Sequence, residues 1–319
     1  MKNRIEWVDA AKALGITLVV YGHVILGIHD ANIWENTINY QFQHSVVYTM
    51  HMPLFFFLSG LFAKKWVIRN PKIAISQKIR SLIYPYFIWG FIQAGIMQIF
   101  SKNTNNGQGI TNALQLPFIP YAQFWFLYDL FWIFIIYYVL KHILKITDKI
   151  LLLGGTVLFI ISPLLDFWES SRIAYYAIFF IVGTTIVNNI SLLNRINMYV
   201  KVTIFLVLNI VYFLLVMRKQ ELLLVNFMSI FVAAIGIIII IAIASRTHIA
   251  WIDYIGRNSI VIYVAHIIFT AGTRILLLKI GIINVPIHII IGLIIGMVAP
   301  IIMQKIAQKI KISRYIFQE

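Results

Sequence analysis

An all-α fold of about ten transmembrane helices is what this sequence predicts, and three observations carry the prediction. Of the 319 residues, 61% are hydrophobic and only 12% are charged, where a soluble domain carries about 25%. Apolar runs of membrane-spanning length recur at 7–28, 44–63, 82–100, 122–140, 150–166, 173–188, 202–217, 222–244, 259–278 and 286–304. The cations alternate with those runs. With the N-terminus in the cytoplasm, 19 of the 26 Lys and Arg fall on inner segments and five on outer ones. That bias predicts that both termini are cytoplasmic.

The same numbers exclude other classes. The net charge of +15 sits in short loops between apolar runs, so no nucleic-acid partner is expected. There is no cysteine, hence no disulfide or thiolate chemistry, and no metal-ligand set is read. The first run contains Asp9 and Lys12 and lacks a small-residue cleavage motif, so it is expected to stay in the mature protein. Residues 1–319 are predicted to form one membrane domain, without internal repeats, in a plasma membrane of bacterial type. Membrane lipids are its expected surroundings. The oligomeric state stays open, a homodimer being one option.

The first run, Ile5 to Gly27, holds Asp9, Lys12 and His23. An ionisable group near the middle of a membrane helix costs about 2.5 kcal/mol or more, which makes each a functional candidate. Lys12 and His23 lie about 1100° of helix rotation apart, so they share a face, with His23 roughly 16 Å further along the axis. Asp9 precedes Lys12 on that side. One face thus offers a charged pair near one membrane surface and a titratable imidazole near the other.

The second run, with YTMHMPLFFFLSG, puts His51 at a depth similar to His23 and a kinking Pro53 after it. His51 belongs either to the site or to helix packing. The inner loop and third run read SQKIRSLIYPYFIW. Lys78 and Arg80 beside Tyr84, Tyr86, Phe87 and Trp89 suit phosphate and adenine, and suit an interfacial anchor equally. The polar loop 101–121 reads as an outer lid or substrate-facing loop. In the fourth run, QFWFLYDLFW offers Trp125 and Asp129, rings for stacking a sugar or an outer aromatic belt. Residues 188–201 read as a connector. At the ninth run, DYIGRNSIVIYVAH puts Arg257, Asn258 and Ser259 at a helix N-terminus, which favours an anion. Tyr263 and His266 follow on the same face as Ser259. Arg274 reaches the outer interface, where it can snorkel. The basic amphipathic tail, about 305–319, is expected to lie on the inner leaflet.

In order, WVDAAKALGITLVVYGH, HMPLFFFLSG, IRSLIYPYFIW, WFL and GRNSIVIYVAH resemble the motifs of the acyltransferase-3 family of membrane O-acyltransferases, in particular its fucose 4-O-acetylase-like branch. The family's basic residue, ten residues, then histidine is matched by Lys12 and His23. Many members have Arg where this chain has Lys12, so bidentate phosphate binding does not carry over to it. The resemblance runs from Trp7 to about His266 and implies transfer of an acetyl group from acetyl-CoA to a hydroxyl of a surface or lipid-linked carbohydrate.

Under that resemblance Lys12, Lys78, Arg80, Arg257 and Ser259 would receive the CoA phosphates, with Tyr84, Asn258, Tyr263 and His266 completing the donor site. His23 would act as general base or as an acetyl-carrying nucleophile. Asp9 would fix Lys12, while His51, Trp125 and Asp129 would face the acceptor. The competing class is a proton-coupled carrier that uses intramembrane histidines.

Overall fold

The computed structural model describes residues 6–34, 36–99, 113–186, 196–247 and 249–317, and among these there is no strand. Each of the ten apolar runs is a helix. They are α1 (Glu6–Asp30), α2 (Thr37–Gly60), α5 (Tyr84–Ile99), α6 (Trp125–Tyr138), α7 (Asp148–Ile161), α8 (Ser170–Ile186), α9 (Met198–Met217), α10 (Leu222–Ala244), α12 (Ser259–Lys279) and α13 (Val285–Lys309). Short helices α3 (Ala63–Val67), α4 (Pro71–Lys78), α11 (Ala250–Arg257) and α14 (Ser313–Ile316) fill the connections.

Among the described residues, seven segments are long and apolar enough to cross a membrane unaided. α2 has 24 residues, but its first half, TINYQFQHS, is polar. α7 and α8 span only 14 and 17 residues. These three reach membrane depth as parts of the bundle, packed against its other helices.

The third run starts earlier than its hydropathy suggests, as a continuous segment Pro71–Ile99. A π-helical turn, Ile79–Ile83, joins α4 to α5. Pro85 has no N–H to give the helical ladder, and the widened turn just before it absorbs that loss. Of loop 101–121 only 113–121 are described, and they are clamped. Tyr86 Oη donates to the Leu116 carbonyl (2.6 Å), Tyr128 Oη to that of Pro117 (3.0 Å) and Trp168 Nε1 to that of Phe118 (2.7 Å).

α1 is the hub of the bundle, packed against α2, α10, α11, α12 and α13. Small residues make the close approaches possible. A Cβ on Gly256 would lie 1.8 Å from the Asp9 carbonyl oxygen, so the glycine of GRNS is where α11 touches α1 backbone to backbone. Gly60 and Gly183 do the same where α2 crosses α8.

Basic segments expected on one side do gather at one end. Lys64 and Lys141 both reach Asp148, at 2.6 and 2.8 Å. Their hydrogen bonds, that of Lys141 first, hold the Asp148 carboxyl below the usual carboxylate range. Tyr138 Oη donates to the Arg69 carbonyl at 3.0 Å. The tail divides at that end: residues 305–309 prolong α13, and the last described turn docks on α5. There Tyr84 Oη donates to the Tyr315 carbonyl (2.5 Å) and Trp89 Nε1 to that of Ile316 (2.9 Å). Ring contact between Trp89 and Phe317 explains why the turn leaves the membrane surface for the protein.

Candidate functional site

At mid-bundle α1 and α12 bring His23 and His266 together, Nδ1 to Nε2 at 3.2 Å. Heavy-atom partners assign the protons. Nδ1 of His266 faces two carbonyl oxygens, Ile262 at 3.1 Å and Tyr263 at 2.8 Å. Carbonyls only accept, so that nitrogen carries the hydrogen and Nε2 of His266 offers its lone pair to His23. Nδ1 of His23 faces that lone pair and the Val19 carbonyl at 2.9 Å. It is therefore the N–H, and Nε2 of neutral His23 is left as a base.

His51 on α2 repeats the pattern, its Nδ1 lying 2.6 Å from the Val47 carbonyl. Between His51 and His23 stands Tyr48, with ring centroids 4.9 and 6.2 Å from theirs. Tyr48 also stacks on His44 at 3.9 Å, and beyond it Tyr40 stacks on His29 at 3.9 Å. The spacing of His44, Tyr48 and His51 along α2 is helical, so one face is lined with rings.

Two cavities stand on the helices around this centre, one on α12 and one on α2. At the basic end a cavity of about 710 Å³ is lined by residues that include Arg69, Lys72, Ser76, Arg80, Trp89 and Val264. Val264 stands two residues before His266 on α12, about 3 Å along the axis and about 200° round it, so this cavity lies against the side of α12 away from His266. Ile316 and Phe317 of the docked tail close one wall. At the other end a cavity of about 650 Å³ is lined by Tyr40, His44, Tyr48, Tyr175, Asn226 and Ser229 among others, a mostly aromatic and polar surface that also includes Lys219. Tyr48 is its innermost ring toward His23.

Of the residues expected at the donor mouth, Arg80 lines the basic cavity, and Tyr84 holds the tail that walls it. Lys78 does not line it; its ammonium lies 3.3 Å from the Phe134 ring centroid. Arg257 is exposed and packs against the Tyr254 ring at 5.9 Å. Asn258 donates to the Tyr254 carbonyl at 2.8 Å, closing α11 rather than capping α12. Ser259 opens α12 one turn before Val264. Tyr263 is buried and bonded to the Gln123 carbonyl, and His266 pairs with His23 instead of reaching the mouth. Asp9 is buried at the α1–α11 contact, and Lys12 is half-buried one turn on.

Trp125 and Asp129 lie one layer behind the second cavity. Trp125 stacks on Tyr176, which lines it, and carries the Arg172 guanidinium on its ring at 5.1 Å. Asp129 is fully buried with Arg172 at 3.8 Å. Sequence reasoning passed over Arg69, Lys72 and Tyr48 as site residues, while Trp89 belonged to the aromatic cluster it did name. The first two looked like loop charges, and only the packing of α4 against the π-helical turn and α6 turns them into a wall. Tyr48 had a signal, three residues before His51 on one helix face.

A family model described as an acyltransferase domain, of type 3, matches residues 5–305. No curated protein and no solved structure matches the chain.

Proposed function

The chain belongs to the acyltransferase-3 family, and on that premise we propose that it moves an acetyl group from acetyl-CoA to a hydroxyl of a cell-surface or lipid-linked carbohydrate. One observation supports this most: two separate cavities, one lined by Arg69, Lys72 and Arg80 and one lined by Tyr48, a ring neighbour of His23, stand on α12 and α2, the helices that carry His266 and His51. A carrier needs one site alternately open to both sides, whereas a transferase needs two substrates to meet. The acetyl donor is anionic and cytoplasmic, which suits the basic end; the acceptor is external, which suits the other.

In this mechanism Arg69, Lys72 and Arg80 hold the nucleotide phosphates, with Lys12 as a further cation on the path. The pantetheine arm enters past Ile260 and Val264 and turns round α12 toward the side that carries His266. His23 Nε2 takes the proton of the acceptor hydroxyl as its oxygen attacks the thioester carbonyl, and the thiolate leaves with that proton. His266 accepts from Nδ1 and so favours the imidazolium that forms. Asp9 orients the start of α1, and His51 borders the acceptor. A deoxyhexose, as in the fucose-modifying branch that the motifs resemble, is the first acceptor to test. Trp125 and Asp129 would then shape the acceptor cavity from behind. The basic end faces the cytoplasm of a bacterial plasma membrane.

The test is direct. Purified protein with acetyl-CoA and a panel of saccharides is expected to release free CoA thiol and to add the mass of one acetyl group to the acceptor. Thiol release that does not depend on any acceptor, with no acetylated sugar formed, would reject the proposal.

A further inference from the structure

We infer that Tyr48 supplies the oxyanion hydrogen bond of the transfer reaction, its phenolic O–H donating to the thioester carbonyl oxygen as the acceptor attacks. The inference rests on the acyl-transfer reading above. Two observations carry it. First, Tyr48 Oη is buried and has no hydrogen-bond partner. A buried hydroxyl left unpaired is costly and calls for an explanation, a waiting ligand being one. Second, its ring lies between the two imidazoles of the centre, 6.2 Å from His23 and 4.9 Å from His51, and lines the cavity proposed for the acceptor. Among the described residues, the other buried polar atoms that lack a partner belong to side chains with no ring contact to His23 or His51.

The chemistry requires such a donor. When the acceptor oxygen bonds to the thioester carbon, the carbonyl π pair moves onto oxygen and the hydroxyl proton moves to His23 Nε2. His23, His51 and His266 each spend Nδ1–H on carbonyls or on one another, and in the neutral form their Nε2 atoms only accept. None of the three rings has a hydrogen to spare for the oxyanion. Tyr48 has one, held on a ring that its stack on His44, 3.9 Å away, fixes in place. The oxyanion then collapses to the ester, the C–S bond breaks, and the thiolate takes the proton from His23, so atoms and charge balance. A donor already aimed at the developing charge is the usual form of this stabilisation, and it costs no reorganisation in the transition state.

Tyr48→Phe removes only the hydroxyl and keeps the ring contacts with His23, His44 and His51. It is expected to lower kcat by about 10²–10³-fold, the usual loss for one oxyanion donor, with KM for acetyl-CoA and acceptor little changed. A fluorotyrosine placed at position 48 keeps the shape and strengthens the donor, so its kcat is expected to differ from that of wild type while the protein folds alike. Wild-type kcat in Tyr48→Phe, or the same kcat for tyrosine and fluorotyrosine, overturns the inference. His23→Ala run beside them separates the two ideas. Transfer that needs His23 but ignores position 48 rejects only the role of Tyr48. No His23-dependent transfer in wild type rejects the acyl-transfer reading itself.

Discussion

His23 and His266 come from the two ends of the chain and meet Nδ1 to Nε2 at 3.2 Å. The Val19 carbonyl already fixes the His23 tautomer, so the second partner matters most once His23 is cationic. A hydrogen bond from a charged donor contributes roughly 1.5–3 kcal/mol, against about 1 for a neutral one. His266→Phe keeps a ring in the space but removes the acceptor. We expect kcat to fall about 10–10²-fold, less than in His23→Ala, with acetyl-CoA binding preserved. A variant as fast as wild type would make His266 a packing residue.

How much of this site was legible in the sequence depends on the kind of residue. His23 stood out because an imidazole inside an apolar run has no ordinary explanation, and α1 is the helix that the bundle surrounds. His266 stood out for the same reason, but nothing local to it pointed to His23 as its partner. Spacing fixes which face a residue occupies, but not which other helix meets that face. The pairing spans most of the chain, and no local pattern encodes it. The donor mouth was legible only as a cluster of charge. Lys78 and Arg80 are two residues apart, so they point to different sides of the helix, and the packing of α6 decides which one is drawn to Phe134. The ten apolar runs all became helices because hydropathy is a local signal that the membrane enforces. The length of α7 and the start of α4 did not follow from hydropathy, since both depend on neighbours.

Lys12 and His23 share a helix face and a family motif but are expected to fail differently. A charged ammonium holds an anion and cannot accept a proton, while neutral imidazole can. His23→Ala is expected to lower turnover by about 10²–10⁴-fold with acetyl-CoA affinity nearly intact. Lys12→Ala is expected to weaken donor binding, and Lys12→Arg to restore it. Isothermal titration with a non-hydrolysable acetyl-CoA analogue distinguishes the two, and equal loss of binding in both alanine variants would contradict the division of labour.

Gly60 and Gly183 set the crossing of α2 with α8, and α2 carries His51 and Tyr48. A Cβ on Gly183 would come within 2.2 Å of the Phe57 carbonyl oxygen, and backbone cannot move aside as a side chain can. Gly183→Ala is expected to cost about 1–3 kcal/mol through overpacking. A lowered melting temperature in detergent is the readout. Gly154→Ala is the control, because a Cβ there meets nothing within 4 Å. Equal melting temperatures for the two variants would show that α2 and α8 are not so close.

Topology can be read by single cysteines, since the chain has none of its own. Lys145 is exposed in the segment between the paired Lys141 and Asp148, and Lys219 lines the other cavity. In intact cells an impermeant maleimide is expected to label Lys219→Cys but not Lys145→Cys, which should react only after the membrane is opened. The reverse pattern would invert the molecule and put acetyl-CoA on the wrong side of the proposed mouth.

The donor mouth makes the sharpest separation between neighbours in sequence. Arg80 and Lys78 look alike as charges near an aromatic cluster, and both are candidates for the CoA phosphates on sequence alone. Arg80 is exposed on the π-helical turn and lines the basic cavity with Arg69 and Lys72. Lys78 instead has its ammonium over the Phe134 ring, with Trp66 at 5.4 Å, where no phosphate of the ligand needs to come. A hydrogen bond between arginine and phosphate at a partly exposed site contributes roughly 1.5–3 kcal/mol, so Arg80→Ala is expected to raise KM for acetyl-CoA about 10–10²-fold at unchanged kcat. Salt should weaken the wild type in the same direction, because a cluster of exposed cations is screened. Lys78→Met keeps the apolar stem and removes the cation–π interaction, worth about 0.5–2 kcal/mol, so it is expected to lower the melting temperature and leave KM alone. A rise in KM for Lys78→Met as large as that for Arg80→Ala would mean that the lysine swings into the cavity when the donor binds, and that the mouth is built from both.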